Sequence, residues 1–332
     1  MKSFILLLAS SLTLSGCVAQ NTVCLTIEEN PYIEDPALSE LSKYVQVLGC
    51  FELLAESSIS DEKLLHAAAV AADLLDQNED GVVDDQNVAN ALASGQALMP
   101  IFEEEGSIAE EILFEYYEGD GIGAVLYSDE INPNQPGYWG EDATVEEVLH
   151  TINAVGHVSV YPNAFSLSPG SSLLSAAMDI ARGGQYLSVP DVYPKEAWYH
   201  YDDWTCDYEC MAIEYLYWAL VTKMGILDDP QTASGIADEW ELYSAALLEE
   251  TDVLMDQLIS DAQFMLPLVA PDGNYCPQAV GISDGLPDAA QISEVVRVVD
   301  LLGRDTEPIP GMLMIHIYSD GHVKKQVVCP EQ

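Results

Sequence analysis

Asp76-Gln77-Asn78-Glu79-Asp80-Gly81-Val82-Val83-Asp84-Asp85-Gln86-Asn87 is the stretch from which the rest of the chain is best read, because no other segment specifies a chemical partner so closely. Ca²⁺ takes six to eight hard oxygen ligands. The spacing offers side-chain oxygens at loop positions 1, 3, 5 and 9 (Asp76, Asn78, Asp80 and Asp84) and a backbone carbonyl at position 7 (Val82). Gly81 stands where such a loop turns sharply, and Val83 is an apolar anchor to a core. Position 12 departs from the pattern: Asn87 supplies at most one oxygen where a bidentate Glu is expected, so the shell needs help from Asp85 or a distant carboxylate. The alternative is an acidic turn between two helices that holds no ion.

Apolar periodicity extends outward on both sides. Leu38, Leu41, Tyr44, Val45, Leu48, Phe51 and Leu54 recur at helical spacing over 37–57. Ser60 caps a second helix over 61–75, and a third leaves the loop over 86–99. Helix, loop and helix in this order resemble an EF-hand, which implies a Ca²⁺ cofactor. A single hand without the Glu at position 12 has no paired hand to move against, so the ion is expected to clamp the helices rather than switch them. His66, without a partner at ligand spacing, reads as structural.

Composition bounds the remaining classes. Ten Lys and Arg against 56 Asp and Glu give a formal charge of −46, which repels nucleic acid and favours cations. The hydrophobic fraction of 49% argues for a folded domain with an acidic coat rather than a disordered tail. Residues 1–16, with Lys2 before the apolar run Phe4 to Leu8, read as a signal peptide. Leu14-Ser15-Gly16-Cys17 resembles the bacterial lipobox, which implies cleavage before Cys17, acylation of its thiol and a membrane as partner. Residue 18 is not Asp, the pattern of lipoproteins sent to an outer membrane in a Gram-negative host; secretion with cleavage near Ala19 or Gln20 is the alternative. Residues 17–36 then form a tether, 37–105 the region of the hand, and 106–332 a mainly helical remainder continuous with it. Six further cysteines suit an oxidising compartment. Pairing of near neighbours gives Cys24–Cys50, Cys206–Cys210 and Cys276–Cys329, and a zinc site from Cys206, Cys210 and His200 competes with the second pair.

Further along, helices are expected over 107–118, 144–156, 173–181, 206–224, 234–263 and 288–302, a short strand over 123–127, and a hairpin from 312–318 and 322–328 around Ser319-Asp320-Gly321. The helix at 144 opens on Thr144-Val145-Glu146-Glu147, a capping-box pattern, and ends at Gly156. The fold class is α+β, mainly helical with a few short strands and a C-terminal β-hairpin.

Two residues carry the sharpest chemical expectation. His150 lies on the polar side of the 144–156 helix, and Glu214 interrupts an apolar face on a later helix. A carboxylate there needs a partner, and the two would converge on Zn²⁺, with His157 or Glu147 nearby and a metal-bound water as nucleophile. Ala212-Ile213-Glu214-Tyr215 resembles the segment around the third ligand of zincin metallopeptidases, which implies a metal-dependent hydrolase with an edge strand for substrate and the aromatic block Trp198 to Trp204 along its cleft. The HExxH motif of that family is absent: Thr151 follows His150, and Ala154 stands where a second His belongs. The bland account pairs His150 with Glu146 at i,i+4 and Glu214 with a core Tyr or Trp. Glu147-x-x-His150 is one di-iron-type unit without a second, the pair Asp202-Asp203 means little in so acidic a chain, and no phosphate-binding or nucleophile-elbow motif is present.

Overall fold

The computed structural model describes residues 24–134, 142–277, 295–299, 304, 313–318 and 323–327. They fall into two compact units divided at residue 281. The first holds a five-stranded mixed sheet in the order β1 (Glu28–Glu29), β2 (Lys43–Val47), β3 (Phe51–Ala55), β4 (Leu98–Phe102) and β5 (Leu126–Tyr127). The first three strands are antiparallel neighbours, and β4 and β5 join in parallel. The sheet thus crosses residue 105 without a break.

The helix expected over 37–57 is instead the hairpin of β2 and β3. Leu48 and Gly49 both take positive φ, 48° and 71°, the backbone of a tight hairpin turn whose twist matches its strands. The pattern misleads because the sheet is covered on both sides, which erases the in-out alternation of a half-buried strand. Val45, Leu53, Met99 and Ile101 enter the main core, while Tyr44, Leu54, Leu98 and Phe102 enter a smaller one with Leu38, Leu41 and Leu113.

The main core lies between the sheet and three helices: α1 (Asp61–Leu75), α4 (Thr144–Thr151) and α8 (Tyr208–Lys223). Ser60 caps α1 as expected, accepting from Lys63 N at 3.3 Å. The run Ala67 to Ala72 is buried, and its small side chains let α4 and the strands approach closely. Helix α2 (Gln86–Gly95) is shorter than expected because Gln96 turns left-handed (φ 54°) and the chain re-enters the sheet as β4. Helix α3 (Ile108–Tyr116) covers the second core.

The start of α4 is set by Asp142 and not by Thr144: Ala143 is the cap residue, and Asp142 Oδ1 accepts from Thr144 N at 3.0 Å. The other carboxylate oxygen of Asp142 holds His66 Nε2 at 3.0 Å, which gives that histidine its structural partner. Gly156 does not end the helix. The helical run passes through a π-helical turn, Ile152–His157, into α5 (Val158–Val160). Gly95 and Gly156 serve close packing instead: a Cβ on Gly156 would lie 2.9 Å from Val88 Cγ1, and one on Gly95 would lie 2.6 Å from Val155 Cγ1.

After α6 (Pro162–Phe165), α7 (Leu173–Ala181) is capped by Ser172, and α8 is capped by Asp207 and buried almost all round. Helices α9 (Pro230–Gly235), α10 (Ala245–Thr251) and α11 (Val253–Ile259) follow as short segments. Asp252, 3% exposed, ties them to the core by accepting from Trp198 Nε1 at 2.9 Å, from Met255 N at 3.2 Å and from the Tyr215 hydroxyl.

Among the described residues two disulfides are present, Cys24–Cys276 and Cys206–Cys210. The second agrees with expectation and removes the zinc alternative, since both thiols are spent. The first overturns two expected pairs: Cys24 bonds across 252 residues to Cys276, leaving Cys50 a buried free thiol. Sequence proximity misjudged it because folding brings the two ends of the unit together. Cys329 and the lipobox with Cys17 lie outside the described residues. Disulfides are the state expected in an oxidising, extracytoplasmic compartment. Among the described residues no helix is long and apolar enough to cross a membrane.

The second unit is a three-stranded antiparallel sheet of β6 (Val295–Val299), β7 (Leu313–Tyr318) and β8 (Val323–Val327). β7 and β8 form the expected hairpin. The helix expected over 288–302 is replaced at Val295-Val296-Arg297-Val298-Val299 by a strand, as four β-branched residues in five favour.

Candidate functional site

The residues best arranged for chemistry sit where α4 crosses α8. The i,i+4 geometry of α4 puts Glu146 and His150 one above the other on a single face, and α8 brings Glu214 to that face. One ligand atom from each of the three lies within 4.8 Å of the others, and among the described residues this is the sole such trio of His, Cys, Asp or Glu. His150 Nε2 is 3.4 Å from Glu214 Oε2, and Nδ1 is 3.4 Å from Glu147 Oε2. Although Nε2 is within ion-pair distance of Glu214, it is buried without a directed hydrogen bond. Glu146 and Glu147 are half-buried.

His150 and Glu214 therefore meet, as anticipated, with Glu147 alongside. The ligand that the sequence reading missed is Glu146, paired there with His150 at i,i+4 only in the account without a metal. The search for a second ligand went forward from His150 to Ala154, when the convergent residue lies one turn back. The signal was present, since Glu146-Glu147-x-x-His150 carries donors at i, i+1 and i+4. His157 does not join the set. It packs 6.0 Å from the ring of Phe165, 2% exposed, with both ring nitrogens unpartnered, and burial pushes it down to about 4.

The electrostatics are those of negative charge crowded out of water. Burial and then the charge of Glu214 push the Glu146 carboxyl up to about 8. Burial alone would lower His150, but the carboxylates of Glu214 and Glu147 hold it well above its ordinary value. Among the described residues no lysine or arginine forms an ion pair with any member of the set. Around it, the Tyr201 hydroxyl donates to Glu214 Oε1 at 3.3 Å and Tyr217 stands edge-on to His150 with ring centroids 5.7 Å apart. Of the aromatic block, Tyr201 reaches the site, whereas Trp198 and Tyr199 are core residues and Trp204 is 84% exposed. His200 stands 4.0 Å from Glu241.

The supporting shell is built by close approach. Gly123, just before β5 at the edge of the sheet, lies against the backbone of α4: a Cβ there would be 2.7 Å from Thr151 Cα and 3.1 Å from His150 O. One residue beyond His150, after Thr151, begins the π-helical turn, whose Asn153 is fully buried with both amide atoms unpartnered. Such turns are frequent at functional sites.

The Asp76 to Asn87 segment connects α1 to α2, with Asp76 capping the end of the first and Asp85 the start of the second. Asp76, fully buried, accepts from Gly81 N at 2.7 Å and Asp80 N at 3.2 Å, and Gly81 takes φ 85° as the sharp turn requires. Asn78 accepts from Asp80 N at 3.0 Å and Asp80 from Val82 N at 3.0 Å. Asp84 faces Gln77, accepting from its Nε2 at 3.0 Å, and Val83 is buried while Val82 is exposed. Asn87 sits in the first turn of α2, its amide N donating to Asp85 at 2.8 Å. The carboxylates of Asp76, Asp80 and Asp84 do not close to within 4.8 Å as a set.

Comparison of the chain with known protein families, with curated proteins and with solved structures finds no match.

Proposed function

We propose that the first unit is a metal-dependent hydrolase whose ion is held by Glu146, His150 and Glu214. The observation that carries this reading is the convergence of the three ligand atoms within 4.8 Å, with His150 Nε2 buried 3.4 Å from Glu214 Oε2 and without a directed hydrogen bond. One nitrogen and two carboxylate oxygens suit Zn²⁺, which leaves a fourth position for water and lowers its pKa toward neutrality. Glu147 holds Nδ1 of the same ring, which fixes the imidazole and leaves Nε2 free to donate its lone pair. Tyr201 and Tyr217 orient the carboxylates. The register resembles a zincin helix in which Glu146 replaces the first His and Glu147 stands where that family carries its catalytic Glu; the chain before β5 would then be the substrate edge. Peptide and ester hydrolysis before and after chelation, with Zn²⁺ restored, tests the reading. Activity that chelation abolishes and zinc restores, absent from His150→Ala and Glu214→Gln, supports it; activity indifferent to chelation contradicts it.

A second reading concerns stability. The bond from Gly81 N to Asp76, with Asp80 and Asn78 folded around the same turn, supports a Ca²⁺ loop that clamps α1 to α2. Chelation of calcium should then lower the melting temperature, and Asp80→Ala should remove the effect. Cys17 is the proposed lipid anchor to the cell envelope. Incorporation of labelled palmitate that Cys17→Ser abolishes tests it.

A further inference from the structure

Helix α1 turns one face toward a cavity of about 520 Å³, lined from that face by Glu62, Leu65, His66 and Ala69 and otherwise by residues 24–25, Pro133 and 272–276. The four helix residues stand at i, i+3, i+4 and i+7, a single stripe of α1. The volume is that of a small-molecule pocket, and the walls are of the usual kind, mainly apolar with a few polar groups set among them. Leu25, Leu65, Ala69, Tyr275 and the Cys24–Cys276 disulfide supply the apolar part.

The deciding polar group is His66, 5% exposed. Its Nε2 stands 3.0 Å from Oδ2 of Asp142, a carboxylate whose side chain is wholly out of solvent. Oδ1 of the same carboxylate accepts from Thr144 N at 3.0 Å. Both oxygens of Asp142 therefore accept, which places a proton on Nε2 and leaves Nδ1 as the lone-pair nitrogen of the neutral ring. Nδ1 has no hydrogen-bond partner among the described residues, and unlike the ring nitrogens of His157 it is not sealed inside the core. A ring fixed by a buried carboxylate thus presents an unused acceptor to the cavity that it lines.

The remaining polar groups select the charge of what can enter. Glu62, one turn before His66, and Asp272 add carboxylates, and among the described residues no lysine or arginine lines the space. Both carboxylates are exposed and indicate no ligand by themselves in so acidic a chain, but they make the pocket hostile to anions. The spacing does not suit a metal ion, because Glu62, His66 and Asp272 do not bring ligand atoms within 4.8 Å of one another. A group that donates hydrogen bonds, carries positive charge and is attached to an apolar body meets every wall.

We infer that this cavity binds a small organic amine in its ammonium form, which donates an N–H to His66 Nδ1 beside Glu62 and lays an apolar or aromatic body against Leu25, Leu65 and Tyr275. None of these residues belongs to the metal centre, so the site stands or falls without it.

The test is calorimetry on the disulfide-intact protein at mildly alkaline pH, with phenethylamine as the probe and phenylpropionate as a counterpart of similar shape and opposite charge. One equivalent of the amine is expected to bind, and none of the anion. His66→Gln keeps a donor for Asp142 but removes the acceptor, and should weaken the amine by about tenfold or more, the loss that follows from one hydrogen bond to a charged group. Glu62→Gln, at an exposed position, should weaken it by a smaller factor. In the wild type the amine should also move the nuclear magnetic resonance of His66 Nδ1, which covers the case in which His66→Gln fails to fold. An amine that binds His66→Gln as tightly as the wild type, an Nδ1 resonance that does not move, or phenylpropionate bound as tightly as the amine overturns the site. So does the absence of amine binding at millimolar concentration.

Discussion

Gly123→Ala probes the join between the sheet and the site helix. The added methyl would stand 2.7 Å from Thr151 Cα and 3.1 Å from both His150 O and Thr151 N. Carbon atoms rest at about 3.5–4.0 Å, so one backbone must retreat by roughly 1 Å, and neither side offers a flexible side chain to yield first. Overpacking of this kind costs typically about 1–3 kcal/mol. For a unit of this size about 2 kcal/mol lowers the melting temperature by roughly 4–8 °C. The displaced segment carries His150, and a shift of about 1 Å is enough to cost on the order of a hundredfold in catalysis. Gly49→Ala is the control, because a Cβ there meets nothing within 4 Å and suffers only from φ 71°, worth about 1–2 kcal/mol. Urea unfolding with an unchanged slope, together with metal titration, reads both effects. A Gly123→Ala variant within about 0.5 kcal/mol of wild type, with unaltered metal affinity, would refute the close seating of this segment on α4.

Other perturbations reach different parts of the unit. His157 titrates at about 4 in the fold against 6.5 as the free group, so its contribution is full above pH 6.5 and lost as the pH falls toward 4. That amounts to roughly 3 kcal/mol relative to His157→Leu, and parallel stability profiles of the two proteins would contradict it. Asp252→Ala orphans the Trp198 and Tyr215 donors and Met255 N, and should cost about 3 kcal/mol in chemical denaturation, partly recovered by Asp252→Asn. Removing Cys24–Cys276, with a sequence separation of 252, should cost more than removing Cys206–Cys210, with a separation of 4. The chain-entropy estimates are roughly 5 and 2 kcal/mol, and equal losses on paired Cys→Ser replacement would count against it.

What the sequence revealed follows the locality of each signal. The Ser60 cap located the start of α1, and α3, α7 and α8 fall in stretches expected to be helical, whose starts the structure shows capped by Ser107, Ser172 and Asp207. The β2–β3 hairpin was hidden because both faces of its strands are apolar, and Leu48-Gly49 was the local cue that outweighed the helical spacing. Gly156 resembled a helix end but owes its place to Val88 and Leu92 on a different helix, a contact no local pattern encodes. Likewise Cys24 and Cys276 meet only after the intervening chain has folded. The meeting of His150 with Glu214 was legible because a carboxylate on an otherwise apolar helix face requires a partner. Glu146 was read as a partner of His150 and not as a ligand because the family pattern was laid forward from His150, one turn away from it.

The most direct measurement is the zinc content of protein beginning after Cys17, dialysed against buffer with micromolar Zn²⁺ and millimolar Ca²⁺, for wild type and for Glu146→Gln, His150→Ala and Glu214→Gln. The account predicts one zinc per chain in the wild type and none in the three variants, with calcium content unchanged across all four. A wild type without stoichiometric zinc, or variants that keep it, would contradict the metal centre on which the account rests.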